Sequence, residues 1–558
     1  MNWVGPSLSL LLLVAELFSN RKGVPLIQDV GAIALSVALL YILYQDRRNS
    51  SRLRLIGTLA ALSFFGLWWS RWLSGVGIAE RSPHLAQDRA YLQLGSILAC
   101  SIFLSVNPSL RKGWQKLDIT PGRKILGAYL LACAVGTAFL ILPWTHQAEQ
   151  TVPLIDAFFI SVSALSVTGL SPIDIATHFN TVGLIAILAL IQIGGWGVVA
   201  VSVALATLTR NRLSISESQM GLELYDIPEL GKFSNFLLRV MLLTFLLETL
   251  GAISIFCLLP SSVDNALFHS IFLAISAFCN AGFSSIPGNL ENPITLGARF
   301  PIGILIVVGG IGFPILFEAG RKAAHFIRGP KPTARIRFSP YFVLTVAISA
   351  ALLMGGWASL ILTERFNIAP ALRGWDQWGQ TLFYSISART AGFNIIPVEQ
   401  LAMGSQLILV LLMVIGGSPV STAGGIKTTT AGVIGVAVWS FLRGDKFIHF
   451  LNREISPMAL QKAVTIIGLY MTIAFFSLLV LLTTENLAPW NLTFEIVSAL
   501  STTGLSVGST SSLQIPGKLI ISALMLIGRI GLVTVALASM GRRDVNRYRY
   551  PIGHFYIG

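Results

Sequence analysis

The sequence predicts an all-α polytopic membrane protein. It would hold four covalently linked helix–pore-helix–loop–helix repeats around a pseudo-fourfold pore, with about four extra N-terminal helices. Three observations carry this. The 558 residues are 54% hydrophobic and only 11% charged, well below the roughly 25% charged residues of a soluble domain. A short glycine-centred loop recurs four times at nearly constant spacing. Basic residues gather in every second connection between apolar runs.

Residues 1–120 carry the extra apolar segments Leu8–Leu17, Pro25–Tyr44, Leu55–Trp69 and Tyr91–Val106. The first lacks a basic flank before it and reads as a retained, short helix rather than a leader. The repeats follow at residues 121–212, 230–328, 338–445 and 458–541, with a short cytoplasmic tail at 542–558. Each repeat opens with an apolar stretch near the roughly 20 residues that span a bilayer as helix, such as Ile125–Trp144, Phe236–Leu259, Phe342–Leu362 and Val464–Leu482. A second apolar run follows that is far too short to cross, Asp156–Ser166 in the first repeat. Asp156 there and Asn491 in the fourth repeat are expected to cap these short helices.

The loops are Val167-Thr168-Gly169-Leu170-Ser171, Asn280-Ala281-Gly282-Phe283-Ser284, Thr390-Ala391-Gly392-Phe393-Asn394 and Thr502-Thr503-Gly504-Leu505-Ser506. Their glycines lie about 110 residues apart. Upstream, Ser163-Ala164, Ser276-Ala277 and Ser498-Ala499 share one offset, and so do Phe159, Phe272 and Phe494. A short helix that turns back leaves non-helical backbone at membrane depth, which is tolerated only inside protein or along a water-filled cavity. Rings of main-chain carbonyls there can replace the water of a cation. Glycine permits the backbone angles that such a narrow strand needs. A glycine that merely ends a helix is the plainer reading of one loop, but four equivalent loops favour the ring.

Downstream of each loop the next helix carries Gly194, Gly309, Gly416 or Gly528 at a matching depth. In the third repeat this helix is interrupted by Gly416–Thr430, rich in Gly, Ser, Pro and Thr, which are poor helix formers. Gly416, Gly417, Ser418, Gly424, Gly425 and Lys427 are read as an intramembrane gate, with an ordinary helix kink as the alternative. In the fourth repeat Arg529 replaces a glycine at membrane depth, which is costly unless the charge meets water or a partner. It is assigned to the same gate, with a structural ion pair as the alternative. Arg389 is expected to brace the third loop, with Glu495 as its candidate partner. Glu248 and Glu318 are expected to serve packing and hydrogen bonding.

Charge distribution sets orientation. Clusters around Arg210, Arg321/Lys322, Arg443/Lys446 and Arg542/Arg543 alternate with connections holding Glu149, Asp174, Asp264, Glu291, Glu399 and Glu485. The positive-inside rule places the basic connections, and both termini, in the cytoplasm. The net charge of +14 therefore reads as topology, and nucleic acid is excluded as a partner. Cys100, Cys133, Cys257 and Cys279 have no metal-ligand spacing and read as buried small side chains. The seven histidines form no metal or catalytic motif, so no enzyme is expected. Gly425-Ile426-Lys427-Thr428 lacks the adjacent glycine and lysine of a phosphate loop.

The four loops, the run Gly416–Thr430 and Arg529 together resemble the Trk/Ktr/HKT superfamily of potassium transporters. The resemblance covers roughly Lys124 to the C-terminus. It implies that Thr168/Gly169, Ala281/Gly282, Ala391/Gly392 and Thr503/Gly504 form a potassium filter, with Val167, Asn280, Thr390 and Thr502 just inside it. By the same resemblance, glycine at all four key positions favours potassium over sodium. A bacterial inner-membrane subunit, a homodimer and a cytoplasmic nucleotide-binding regulatory subunit follow from the same resemblance. No covalent cofactor is expected, and potassium is the substrate. A sodium- or proton-coupled carrier with alternating access is the alternative, although such carriers tend to show broken helices in corresponding halves, and one strongly broken inner helix is expected here.

Overall fold

The computed structural model describes residues 121–147, 151–197, 233–260, 263–291, 297–327, 338–365 and 375–532. The chain divides into two units, Met1–Leu117 and Asp118–Gly558, and all the described residues belong to the second. The extra helices expected in residues 1–120, Cys100, the basic cluster at Arg210 and the tail 542–558 lie outside the described residues.

The described fold is almost entirely helical, and four successive sections follow one order. A long helix comes first in each: α1 (Pro121–Leu140), α4 (Phe233–Leu258), α8 (Pro340–Glu364) and α12 (Pro457–Thr484). A short helix follows: α2 (Leu154–Ser166), α5 (Ala266–Cys279), α9 (Trp375–Ser387) and α13 (Pro489–Leu500). Beyond the glycine loop runs an inner helix: α3 (Thr181–Trp196), α6 (Arg299–Ile311), α10 (Met403–Val414) and α14 (Ile515–Ile530). Two inner helices continue after a break, as α7 (Phe313–Ile327) and α11 (Thr428–Arg443). A two-residue hairpin, β1 (His449–Phe450) with β2 (Arg453–Glu454), joins α11 to α12.

Local chemistry sets several of these boundaries. Ser339-Pro340 and Ser456-Pro457 start α8 and α12 in the same way. The serine Oγ accepts from Phe342 N or Ala459 N, and proline fills the first helical position, where no N–H is needed. Asp156 and Asn491 are not caps, contrary to expectation. Proline and backbone geometry start both helices earlier, at Leu154 and Pro489, so each side chain sits third in its helix. Asp156 instead pairs with Lys518 of α14.

The long helices expose apolar residues on their outer faces, Leu238, Leu242, Phe245, Leu246 and Leu250 on α4 for example. A helix apolar all round needs an apolar solvent. Phe236–Leu258, Pro340–Glu364 and Pro457–Thr484 are each long and apolar enough to cross a membrane. Arg299–Ile311 with Phe313–His325 also qualifies if taken as one span, although the pair bends by 103°. That bend is a departure from the sequence reading, which expected one strongly broken inner helix. It occurs at Gly312, whose φ is +95°. Gly197 (+82°) and Gly531 (+98°) end α3 and α14 with the same left-handed geometry.

Packing of the short and inner helices closes a ring. Each inner helix touches the short helix of the next section, α3 on α5, α6 on α9 and α10 on α13, and α14 returns to α2. Phe159, Phe272 and Phe494 are buried on the short helices, and Phe383 is their counterpart in α9. Cys133 and Cys279 are buried as expected, but Cys257 is exposed because it lies on the outward face of α4.

Candidate functional site

The short helices end in one shared conformation. Val167, Asn280, Thr390 and Thr502 have φ of +57°, +60°, +73° and +50°. Three of these are β-branched, for which positive φ is an outlier. Strain of roughly 1–3 kcal/mol per residue persists only where the surroundings impose it. Two residues on, Gly169, Gly282, Gly392 and Gly504 are again left-handed, at +95°, +69°, +76° and +90°.

These loops meet edge to edge in a closed cycle. A Cβ built on Gly169 would stand under 3.0 Å from the carbonyl oxygen of Ala281, on Gly282 from that of Ala391, on Gly392 from that of Thr503, and on Gly504 from that of Thr168. Each glycine therefore leaves room for the neighbouring loop's backbone. Serines at the ends of the short helices hold the loops from behind. Ser163 Oγ accepts from Gly169 N and Ser498 Oγ from Gly504 N, each at 3.1 Å. Ser276 Oγ donates to Phe283 O and Ser387 Oγ to Phe393 O, each at 2.7 Å. Among the described residues no donor is aimed at the carbonyl oxygens of Thr168, Ala281, Ala391 or Thr503. Thr502 Oγ1 and Thr503 Oγ1 are buried and likewise lack hydrogen-bond partners.

Ser387 is a residue that fixed-offset reading missed. In three sections the loop residue before the glycine donates its N–H to the serine six before the glycine (Thr168 to Ser163, Ala281 to Ser276, Thr503 to Ser498). In the third section both Ala391 N, at 2.9 Å, and Gly392 N, at 3.2 Å, donate to Ser387 O, so the stretch from serine to glycine is one residue shorter. Ser387-Ala388 is thus the fourth Ser-Ala pair, displaced by one.

Beneath the third loop, the chain between α10 and α11 closes on itself through a neck. Gly416 N donates to Ile426 O at 3.0 Å, Ile426 N to Val414 O at 3.2 Å, and Thr428 N to Gly417 O at 3.1 Å. The loop is fastened to the second section as well: Ser418 N donates to Gly310 O, Phe313 N to Val420 O, and Thr422 Oγ1 to Phe278 O. Gly424 lies so close to the fourth loop that a Cβ there would strike Thr502 Oγ1. Gly425 is left-handed, at +69°. Thr428 Oγ1 donates to Ser418 Oγ at 3.3 Å, and Lys427 Nζ turns back to Ala423 O at 2.6 Å. Arg529 spans the interior, donating to Thr422 O of the loop and to Gly194 O of α3. Its partners are backbone carbonyls, and no ion pair to it forms among the described residues.

Arg389 and Glu495 do not pair. Glu495 accepts from Ser506, Ser509 and Thr510, on the segment that follows the fourth loop. Arg389 lies at the inner end of α9 and reaches Ser349 and Gly416 O. Glu248 accepts from Gln192 Nε2 at 3.1 Å and 3.2 Å, and Glu318 accepts from Ser339. Two roles were not read from sequence. Lys518 Nζ stands 2.5 Å from Asp156 Oδ1, joining the last inner helix to the first short helix. Glu485 accepts from Gln514 N and Gly517 N at the start of α14. Partners so far apart in the chain leave no local signal.

Long helices that demand an apolar surround, with shorter apolar helices packed among them, define a multi-pass helical membrane protein. The chain belongs to the TrkH family of cation transport proteins, whose sequence profile matches residues 94–544, and it is a membrane subunit of the Trk/Ktr superfamily. It is 32% identical over 447 residues to the Ktr system potassium uptake protein D of Bacillus subtilis, covering 79% of this chain and 98% of that protein. It is 28% identical over 452 residues to the potassium/sodium uptake protein NtpJ of Enterococcus hirae, covering 79% and 98%. Among solved structures, the potassium transporter TrkH from Vibrio parahaemolyticus shares the fold, with a TM-score of 0.60 over 86% of this chain and 96% of that one, at 16% identity.

Proposed function

We propose that the chain takes up potassium across the bacterial inner membrane, through a filter of backbone carbonyls contributed by four linked repeats around a pseudo-fourfold pore. The observation that carries this reading is the closed cycle of four loops, each glycine packed against the carbonyl of the next. Residues of positive φ stand on either side of Thr168, Ala281, Ala391 and Thr503, which supports a strand whose successive carbonyls face one way. Buried carbonyls without protein donors need another partner, and a ring of them can replace the hydration shell of a cation.

The loop 416–427 is the gate in this reading. The packing of Gly416 against Thr390 and of Gly424 against Thr502 supports this, since it would set the loop just inside the filter, where Arg529 would add fixed positive charge on the ion path. The basic connections face the cytoplasm. The chain works as a homodimer with a cytoplasmic nucleotide-binding subunit, as the family resemblance implies.

Purified protein in proteoliposomes with a potassium gradient tests the proposal. Potassium flux is expected with or without sodium, and the name of the Enterococcus relative makes the sodium comparison worthwhile. Gly169→Ser, Gly282→Ser and Gly392→Ser should each reduce potassium preference in mixed-salt reversal potentials. Each adds roughly 1–2 kcal/mol of left-handed strain, in addition to the overlap with a neighbouring carbonyl. Unchanged selectivity in all three folded variants would remove these loops from the ion path.

A further inference from the structure

Three residues before each filter glycine stand Ser166, Cys279, Arg389 and Ser501. In two sections this position ties the short helix to its own long helix. Cys279 Sγ lies 3.7 Å from Glu248 Oε1 of α4, and Ser501 Oγ lies 2.8 Å from Tyr470 Oη of α12. Arg389 makes the same link, with its Nη2 3.3 Å from Ser349 Oγ and its Nη1 3.4 Å from Ser349 O of α8. It then reaches further, and Nη2 also donates to Gly416 O at 3.3 Å. The long side chain occurs in the section whose inner helix is interrupted.

Gly416 is the first residue of the neck. Its N–H is taken by Ile426 O, and α10 has already ended at Val414, so its carbonyl has no following helical turn to receive it. Arg389 supplies the donor. There is no slack at this point, since a Cβ on Gly416 would meet Thr390 Cγ2 at 2.9 Å as well as the carbonyl of Gly424. Arg389 Nε is buried without a partner, and no carboxylate pairs with the guanidinium among the described residues. A crevice lined by Ile306, Gly310, Ser349, Leu353 and Ile386 lies beside it. Bonds of 3.3–3.4 Å are long for charged donors, the geometry of a hold that can be released.

We infer that Arg389 clamps the neck of the gate loop, a positioning residue that ties the loop's closed shape to the inner end of the third short helix. The inference rests on loop 416–427 being the gate. Opening the neck must free Gly416 O from the guanidinium, which would leave a buried cation with fewer acceptors, so the clamp favours the closed arrangement.

The test compares potassium flux from proteoliposomes for the full chain and for Arg389→Met, Arg389→Lys, Ser349→Ala and Arg529→Ala. Arg389→Met should raise flux several-fold with potassium-over-sodium preference unchanged. Arg389→Lys should fall between it and the parent, because lysine is shorter and presents one nitrogen where the guanidinium uses two. Ser349→Ala should raise flux slightly, and it serves if Arg389→Met does not fold. If Arg529→Ala raises flux but folded Arg389 variants do not, the clamp is wrong and the gate stands. Loss of selectivity in Arg389→Lys or Arg389→Met would also overturn it, making Arg389 a filter brace. If no variant raises flux, the gate reading fails and the clamp with it.

Discussion

At the scale of single residues, the polar groups inside this protein are placed where backbone would otherwise be unsatisfied or a charge unpaired. Glu485 receives two free N–H groups at the start of α14, and Asn180 does the same for α3 through Val182 N and Gly183 N. The Asp156–Lys518 pair, with side-chain exposures of 9% and 12%, fastens the first short helix to the last inner helix. Removing one partner strands a largely buried charge, a loss of about 3–5 kcal/mol. Lys518→Met alone should therefore lower the thermal midpoint in detergent sharply. Asp156→Leu with Lys518→Met should recover most of it, since two apolar groups leave no charge behind. A double variant as unstable as the single one would show that the pair is not what joins these helices.

Among elements, the interruption of the inner helix in the third section is bonded to the second and fourth sections. Thr422 alone engages Phe278 through its hydroxyl and Arg529 through its carbonyl. Deleting residues 420–423 should remove both contacts, raise potassium flux and leave ion preference in place, because the glycine ring is held separately by Ser163, Ser276, Ser387 and Ser498. Combined with Arg529→Ala, the gain should be less than the product of the two single gains, as groups in contact couple. Simple multiplication of the two effects in flux assays would separate the loop from the arginine.

Over the whole molecule, each glycine loop is followed by a short helical turn: Ile175–His178, Asn289–Glu291, Val398–Gln400 and Thr510–Ser512. Two of these carry carboxylates, Glu291 and Glu399. Burial first, and then the neighbouring Glu399 carboxylate, hold Glu291 above the ordinary carboxylate range. Its negative charge is present at high pH and is lost, as pH falls, earlier than for a free carboxylate. An outer mouth that attracts cations through this charge should carry less potassium as external pH drops through that raised range. Glu291→Gln should show lower flux at high pH and a flatter pH profile. An unaltered profile would show that Glu291 does not contribute to the field at the mouth.

The sequence by itself determined the membrane class, the positions of the four loops and the interruption after Gly416. These rest on local demands: apolar runs long enough for a bilayer, glycine where backbone must be left-handed, and residues that cannot continue a helix. It also marked Arg529 as a charge in need of partners. Only the tertiary structure decided which partners. Arg529 found Thr422 and Gly194, Arg389 found Gly416 rather than Glu495, and Asp156 found Lys518 instead of capping its own helix. The one-residue shortening at Ser387 and the bend at Gly312 emerged there too. A side chain's partner depends on which elements the fold brings within hydrogen-bond reach, and residues 27 to 362 positions apart leave no periodic trace of their meeting.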